Sequence, residues 1–234
     1  VEGAVQVDVE PPWSGAVRPC DAGGRTAWSW PHNDTLHVCL DRFQGPKSGL
    51  SHHHITLAAD SGWETVVVVQ PTELAHLSGL EMPCNEHVQI SIVAVSFAGV
   101  GAEPVTSRVL IDCTPPEAEA VTVGFTSALA EPRPVGTAHA LCVEPHRGVY
   151  GWWDGFAEPH SSISRFEMAL LPAAQWREAG ELAVEQWDDV GLRRRVLLGT
   201  LAPSTAADGL ALVVRTCNSA GLCSKGVPSA QPLI

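Results

Sequence analysis

Residues 88–100, VQISIVAVSFAGV, and residues 210–222, LALVVRTCNSAGL, carry one pattern twice, at an offset of 122 residues. From Val88 to Ile92, apolar and polar residues alternate strictly. Successive side chains of a β-strand point to opposite faces, so this two-residue period predicts a strand with one buried face. Each stretch then reaches an Ala-Gly pair, which is typical of a turn. The chain therefore contains the same predicted strand and turn in two places.

A second pair of blocks repeats upstream, at an offset of 113 residues. The shared positions are Phe43, Pro46, Ser48, Leu50 and Leu57 in the first copy, and Phe156, Pro159, Ser161, Ile163 and Leu170 in the second. Blocks that repeat in the same order indicate a duplicated domain. The offset grows by nine residues between the blocks, which predicts an insertion near residues 172–186, with one or two helical turns.

A pair of prolines, Pro115 and Pro116, follows the last predicted strand of the first copy. Paired prolines cannot continue a sheet, and they stiffen a linker toward an extended form. We therefore expect two domains, residues 1–114 and residues 115–234.

Turn-forming residues are spread along the whole chain of 234 residues, with 21 glycines and 18 prolines. Between them lie short segments with strand periodicity, and no long helical stripe of apolar residues interrupts them. This pattern predicts an all-β protein. On β-strand alternation, His53, Ile55 and Leu57 should face the first core, while His52 and His54 should point outward.

Three motifs resemble the fibronectin type III family. WDGFAEPHSSI at residues 153–163 resembles its tryptophan strand and the following turn, CNSAGLCS at 217–224 its late hairpin, and VLIDCTPP at 109–116 its final strand running into a linker. The resemblance implies two tandem antiparallel β-sandwiches of seven strands each. An immunoglobulin-like sandwich has the same architecture and stays open as an alternative. In the first copy, Leu40 stands where the second copy has Trp153.

The seven cysteines contain no C-x-x-C pair, so a zinc-finger site is not expected. Scattered cysteines in a chain rich in turns favour disulfides and an oxidising compartment. Cys217 and Cys223 stand at the two strand ends of the late hairpin, where a Cα separation of about 5.5 Å suits a disulfide. The pairing of the other five stays open, and the odd cysteine is either unpaired or paired with a segment outside this chain.

Asn33-Asp34-Thr35 is a glycosylation sequon, which agrees with a secreted or cell-surface location. The formal net charge of −12 argues against a nucleic-acid partner. No run approaches the ~18–20 apolar residues of a membrane span. Because no leader is recognisable at Val1, we expect a fragment of a longer array.

Catalytic, cofactor and metal sites are not expected. The usual nucleophile, phosphate-loop and zinc-protease motifs do not occur. The adjacent acids Asp188 and Asp189 would point to opposite faces of a strand, whereas glycosidase carboxylates face each other across a cleft. His52 and His54 share a strand face and could converge on an ion, but the sequence fixes no third ligand. Acidic residues near the junction form no calcium loop.

Tryptophans are the best candidates for a binding surface. Trp28 and Trp30 should share a face, and of the adjacent Trp152 and Trp153 only one can face the core, which leaves Trp152 on the surface. The sequence predicts a non-catalytic pair of structural or adhesion modules whose partners are neighbouring modules. The alternatives are a carbohydrate-binding accessory module that uses these tryptophans, or a fragment of a receptor ectodomain.

Overall fold

A computed structural model describes residues 9–126, 148–199 and 209–233 of the chain. By its internal contacts the chain divides into two compact units, Val1–Thr114 and Pro115–Ile234, here called the first and the second module. Cys142 lies outside the described residues. Within the described part, no helix is long and apolar enough to cross a membrane.

The first module is built from strands. They are β1 (Ala16–Pro19), β2 (Ser29–Trp30), β3 (Thr35–Asp41), β4 (Leu50–Ala59), β5 (Glu64–Val69), β6 (Leu74–Ser78), β7 (Glu86–Ser96) and β8 (Val105–Ile111). One sheet has the order β1-β3-β6 and the other β2-β8-β7-β4-β5. Neighbouring strands are antiparallel, except that the two-residue β2 runs parallel to β8.

The second module repeats this plan and adds a short helix. Its elements are β9 (Thr122–Thr126), β10 (Val149–Asp154), β11 (Ile163–Pro172), α1 (Ala173–Ala179), a 3₁₀ helix (Gly180–Ala183), β12 (Asp188–Gly191), β13 (Arg195–Gly199), β14 (Leu210–Asn218) and β15 (Val227–Pro228). The sheets have the orders β13-β10-β9 and β12-β11-β14-β15. The helical elements occupy the stretch where the sequence predicts an insertion.

The two modules have the same strand connections. β1, β3 and β6 correspond to β9, β10 and β13, and β4, β5, β7 and β8 correspond to β11, β12, β14 and β15. In both, the strand after the first strand of the larger sheet stays beside it in that sheet, whereas in an immunoglobulin constant-type sandwich the fourth strand joins the sheet that holds the first, second and fifth strands. The predicted fold class, two antiparallel seven-stranded β-sandwiches, is confirmed, and the first module adds only β2.

The core of the first module follows the strand alternation. His53, Ile55 and Leu57 on β4 are buried, as are Val88 and Ile90 on the neighbouring β7. The opposite sheet contributes apolar side chains from β3 and β6, including Leu40 at 2% exposure. Leu40 therefore fills in the first module the position that Trp153, also 2% exposed, fills in the second.

The larger sheet of the second module is buried on both faces. Phe166, Leu212 and Val214 pack in the sandwich core. On the other face Ala169 and Val213 pack with side chains of the insertion, among them Ala183, Val184, Trp176 and Trp187. The continuous apolar run 210–214 of β14 reflects this double burial, because a strand covered on both faces loses its alternation.

One aromatic contact is shared by the two cores, with a substitution. In the second module Phe156 and Phe166 have ring centroids 5.7 Å apart. At the equivalent positions of the first module, Phe43 meets His53 edge to face at 5.1 Å. His53 is only 1% exposed, and among the described residues neither ring nitrogen has a hydrogen-bond partner of normal geometry. A titratable imidazole in the first module thus occupies the position that a phenyl ring occupies in the second module.

Burial lowers the pKa of His53. The backbone of Gln70 raises this pKa to a smaller extent, and the nearby His52 lowers it slightly further. The folded state therefore prefers the neutral ring, while the unfolded chain takes up a proton as the pH falls below the ordinary value of 6.5. Since the unfolded state then binds more protons, this group's contribution to stability is complete above that pH and is lost progressively below it.

We expect the free energy of unfolding of the first module to fall between about pH 7 and pH 5, and His53→Phe to reduce that slope. Chemical denaturation at a series of pH values measures it. Some slope should remain, because burial also lowers the pKa of His37. The exposed His87→Gln variant serves as the control and should keep the wild-type slope. An unchanged slope in His53→Phe would contradict this account.

Candidate functional site

Six of the seven cysteines form three disulfides. Cys217 and Cys223, the pair named from the sequence, close the hairpin after β14, and their Cα–Cα distance of 4.0 Å is shorter than the expected value of about 5.5 Å. Two further bridges, whose partners the sequence left open, lie in the first module: Cys20–Cys39 and Cys84–Cys113. Glu167 lies close enough to Cys217 and Cys223 to suggest a metal cluster. Because these two sulfurs are bonded to each other, they offer no thiolates to an ion.

The sequon lies in the turn between β2 and β3. Asn33 is exposed, and its backbone carbonyl accepts a hydrogen bond from the Met82 N–H at 2.9 Å. The neighbouring Asp34 carbonyl accepts one from the Leu80 N–H at 2.9 Å. The backbone is thus fixed while the Asn33 side chain faces solvent, so a glycan at this position remains a prediction that the geometry permits.

The predicted tryptophan surface is divided by the structure. Trp28 is 63% exposed. Trp30 does not share this exposure: it is half-buried against the core, and its Nε1 donates a hydrogen bond to the Thr35 carbonyl at 2.7 Å. The two tryptophans therefore do not form one exposed surface, since Trp28 lines an outer groove and Trp30 packs against the core.

Trp152 lies on the outer face of the smaller sheet of the second module and is half-buried. It pairs across the strands with Gly124 of β9. A Cβ on Gly124 would lie 3.0 Å from the Trp152 indole ring, so the ring rests directly on the glycine backbone. Trp152 therefore presents one face of its ring at most, and it is a weaker candidate for binding than Trp28.

An open groove of about 550 Å³ lies beside Trp28 and is here called the Trp28 groove. It is lined by Trp28, Asp60, His87, Gln89, Thr106, Ser107 and Arg108. Strands β7 and β8 supply its floor, and the β4–β5 turn supplies Asp60. Arg108 and Asp60 form an exposed ion pair, with Nη2 and Oδ2 2.9 Å apart.

The lining of the Trp28 groove combines one exposed indole with several hydrogen-bonding groups. A large aromatic face gives apolar contact area, while the carboxylate, guanidinium, amide and hydroxyl groups around it offer both donors and acceptors. The Asp60–Arg108 pair is exposed, so it adds little to stability and is available to a ligand. This arrangement suits a polyhydroxylated ligand with one apolar face, such as a sugar ring.

The corresponding outer face of the second module is occupied by its own side chains. Glu167 on β11 accepts hydrogen bonds from Arg165 and Arg215, each at 2.7 Å. Arg215 stacks over Trp187, with its guanidinium carbon 4.2 Å from the ring centroid. Burial raises the pKa of Glu167, but the two guanidinium groups outweigh burial, so the net pKa is lowered. Glu167 thus stays ionised, and the charge of its carboxylate is balanced by the two guanidinium groups.

The insertion covers the packed side chains of Glu167, Arg215 and Trp187. Glu181 of the 3₁₀ helix accepts a hydrogen bond from the Gly226 N–H. A Cβ at Gly226 would lie 3.1 Å from Trp187 and 3.2 Å from Trp176, so only glycine lets both indoles approach. Sequence reasoning missed this cluster, although the tryptophans of the insertion were a signal that it packs on the sheet.

No protein-family model matches the sequence, and no curated protein matches it. Among solved structures, a segment of two fibronectin type III domains from chicken tenascin is 15% identical, with 94% of this chain and 98% of that chain covered and a TM-score of 0.36. Fibronectin(III)-like modules of Clostridium thermocellum CbhA are 13% identical, with 93% of each chain covered and a TM-score of 0.45.

The central fibronectin-III array of RIM-binding protein is 13% identical, with 97% of this chain and 71% of that chain covered and a TM-score of 0.32. At these identities and TM-scores the similarities carry no argument about function. The strand order places seven corresponding strands in each module, four in the larger sheet and three in the smaller one, and the first module has β2 as a fifth strand of its larger sheet. The chain is a tandem pair of fibronectin type III-like β-sandwich modules.

Proposed function

We propose that this chain is a non-catalytic pair of spacer and adhesion modules within a larger extracellular, appendage or matrix protein. The observation that carries the proposal is the distribution of the disulfides, two in the first module and one in the second. Bridges of this kind persist in oxidising compartments and are rare in the cytosol. Neighbouring modules of the same or another protein are the proposed partners.

The chain leaves the first module through a firmly held segment. Cys113 follows β8 and is bridged to Cys84, just before β7. Thr114 donates hydrogen bonds from its backbone N–H and hydroxyl to Asp112 Oδ1, at 3.1 and 3.2 Å. The stiff Pro115-Pro116 pair comes next. A pull on the linker would therefore load a covalent bridge instead of the ladder of β8 alone, which suits a load-bearing spacer.

Each bridge adds stability mainly by restricting the unfolded chain, by about 2–4 kcal/mol for a typical disulfide. Cys84–Cys113 has the longest separation of the three, 29 residues, and Cys217–Cys223 the shortest, 6 residues. In the chain-entropy picture the longer loop contributes more. In that picture the bridge at the exit of the first module contributes the most of the three.

Non-reducing peptide mass spectrometry of protein from its natural source tests this proposal. We expect the three bridged peptide pairs, together with a glycan on Asn33. Asn85 and Asn218 are not in sequons and serve as unmodified internal controls. Free thiols at the six bridged positions and an unmodified Asn33 would contradict the extracellular assignment.

A second candidate function, recognition of a glycan, is favoured by the Trp28 groove. Trp28 offers a bare indole face beside the Asp60–Arg108 pair. Stacking of an apolar sugar face on indole, with hydroxyl groups on charged partners, needs no movement of the backbone. Glycans on a cell or matrix surface would in that case be the partner that the first module holds.

Glycan-array screening followed by titration of the best ligand tests this second function. We expect Trp28→Ala to weaken binding at least about tenfold, or ~1.4 kcal/mol, because the stacking face is removed. Trp13→Ala is a matched control, since Trp13 is 73% exposed and does not line the groove. Equal affinity of the two variants, or no ligand on the array, would exclude the groove as a glycan site.

A further inference from the structure

Two histidines stand side by side on the outer face of the larger sheet of the first module. His52 and His54 flank the buried His53 on β4 and point to the opposite side. Their Nε2 atoms are 2.8 Å apart, and their ring centroids are 4.8 Å apart. His54 is exposed and His52 is half-buried, so solvent reaches the pair.

The separation of the two nitrogens suits a shared ion. Imidazole nitrogens bind first-row metals at ~2.0–2.1 Å, so two ligands on one ion need to lie only slightly farther apart than these two do. The rings are held on one rigid central strand that pairs with β5 and β7 on its two sides. A small rotation of the exposed His54 ring would increase the distance between the two Nε2 atoms to the value that a shared ion needs.

A neighbouring hydroxyl lies within hydrogen-bond distance of the second ring nitrogen of His52. Nδ1 of His52 lies 3.0 Å from Ser51 Oγ. When Nδ1–H donates to this oxygen, Nε2 keeps its lone pair and faces His54. Ligating histidines commonly donate their second ring N–H in this way, which orients the ring and raises the basicity of the ligating nitrogen.

We propose that His52 and His54 form a chelating site for one divalent transition-metal ion of the class that prefers imidazole, with Cu²⁺ bound more tightly than Zn²⁺. Val68 and Val93 lie opposite His54 on the two neighbouring strands, and Val95 lies opposite His52. These side chains offer no further ligand atom. On the sides that these three valines occupy, coordination positions are therefore left to water or to an added ligand.

A second histidine pair in the same module lacks this support. His37 Nε2 contacts His76 Nδ1 across strands β3 and β6. Nδ1 of His37 is buried and has no hydrogen-bond partner among the described residues. The proton of His37 therefore belongs on Nε2, and an ion there would drive it onto a buried nitrogen without an acceptor, which is costly. The His37–His76 pair therefore has similar ring contacts but a tautomer that does not suit metal binding, and it serves as an internal comparison.

Titration calorimetry of the complete, untagged, disulfide-bonded chain with CuCl₂ and with ZnCl₂ near neutral pH tests the proposal. We expect one ion per chain, with Cu²⁺ the tighter, and nitrogen hyperfine couplings from two imidazoles in the Cu²⁺ electron paramagnetic resonance spectrum. A Cys142→Ser background removes the one cysteine that the three bridges leave over. Zn²⁺ should broaden or shift the NMR signals of His52 and His54 selectively.

Variants separate the ligands from the residue that positions one of them. His54→Gln should remove the high-affinity ion, while Ser51→Ala should weaken it about 10- to 100-fold and Ser51→Thr, which keeps a hydroxyl, should restore it. His76→Gln should leave binding unchanged. Thermal unfolding checks that each variant folds. Binding that survives His54→Gln, or that is lost equally in His76→Gln, would overturn the proposal.

Discussion

Burial of alternate residues between two facing sheets is the interaction on which both modules depend. Each fully buried valine, leucine or isoleucine contributes about 1.5–3 kcal/mol relative to exposure, and these gains offset the entropy of ordering the chain. The interaction also fixes register, because a slip of one residue would turn the buried set toward solvent. Ile55 and Leu57 of β4 and Ile90 and Ile92 of β7 face the same core for this reason.

The same constraint leaves the outer faces of the sheets free to diverge after duplication. The inner contact of Phe43 with His53 matches that of Phe156 with Phe166, so the cores kept one plan. The outer faces of the larger sheets did not. In the first module this face carries the Trp28 groove and the His52–His54 pair. In the second module the insertion covers it, with Trp187 stacked on Arg215 and Glu167 held between two arginines.

The sequence predicted those features that repeat with a fixed period. Strand alternation and the two offsets predicted the corresponding strands of both modules. The burial of β14 on both faces was not predicted, although its apolar run 210–214 was a signal of it. Features that join distant segments of the chain could not be predicted from the sequence. Disulfide partners such as Cys84 and Cys113 cannot be deduced from spacing alone. The Trp28 groove draws on the segment before β2, the β4–β5 turn, β7 and β8, and only the folded sheet brings them together.

The outer face of the larger sheet is open in the first module and covered in the second. Hydroxyl-radical footprinting of the native chain, read by mass spectrometry, distinguishes the two faces because an exposed tryptophan or histidine reacts faster than a buried one of the same type. We expect rapid oxidation of Trp28 and His54, several-fold slower oxidation of Trp187, and the slowest at the buried Trp153. Oxidation of Trp187 as fast as that of Trp28 would contradict this difference between the two faces.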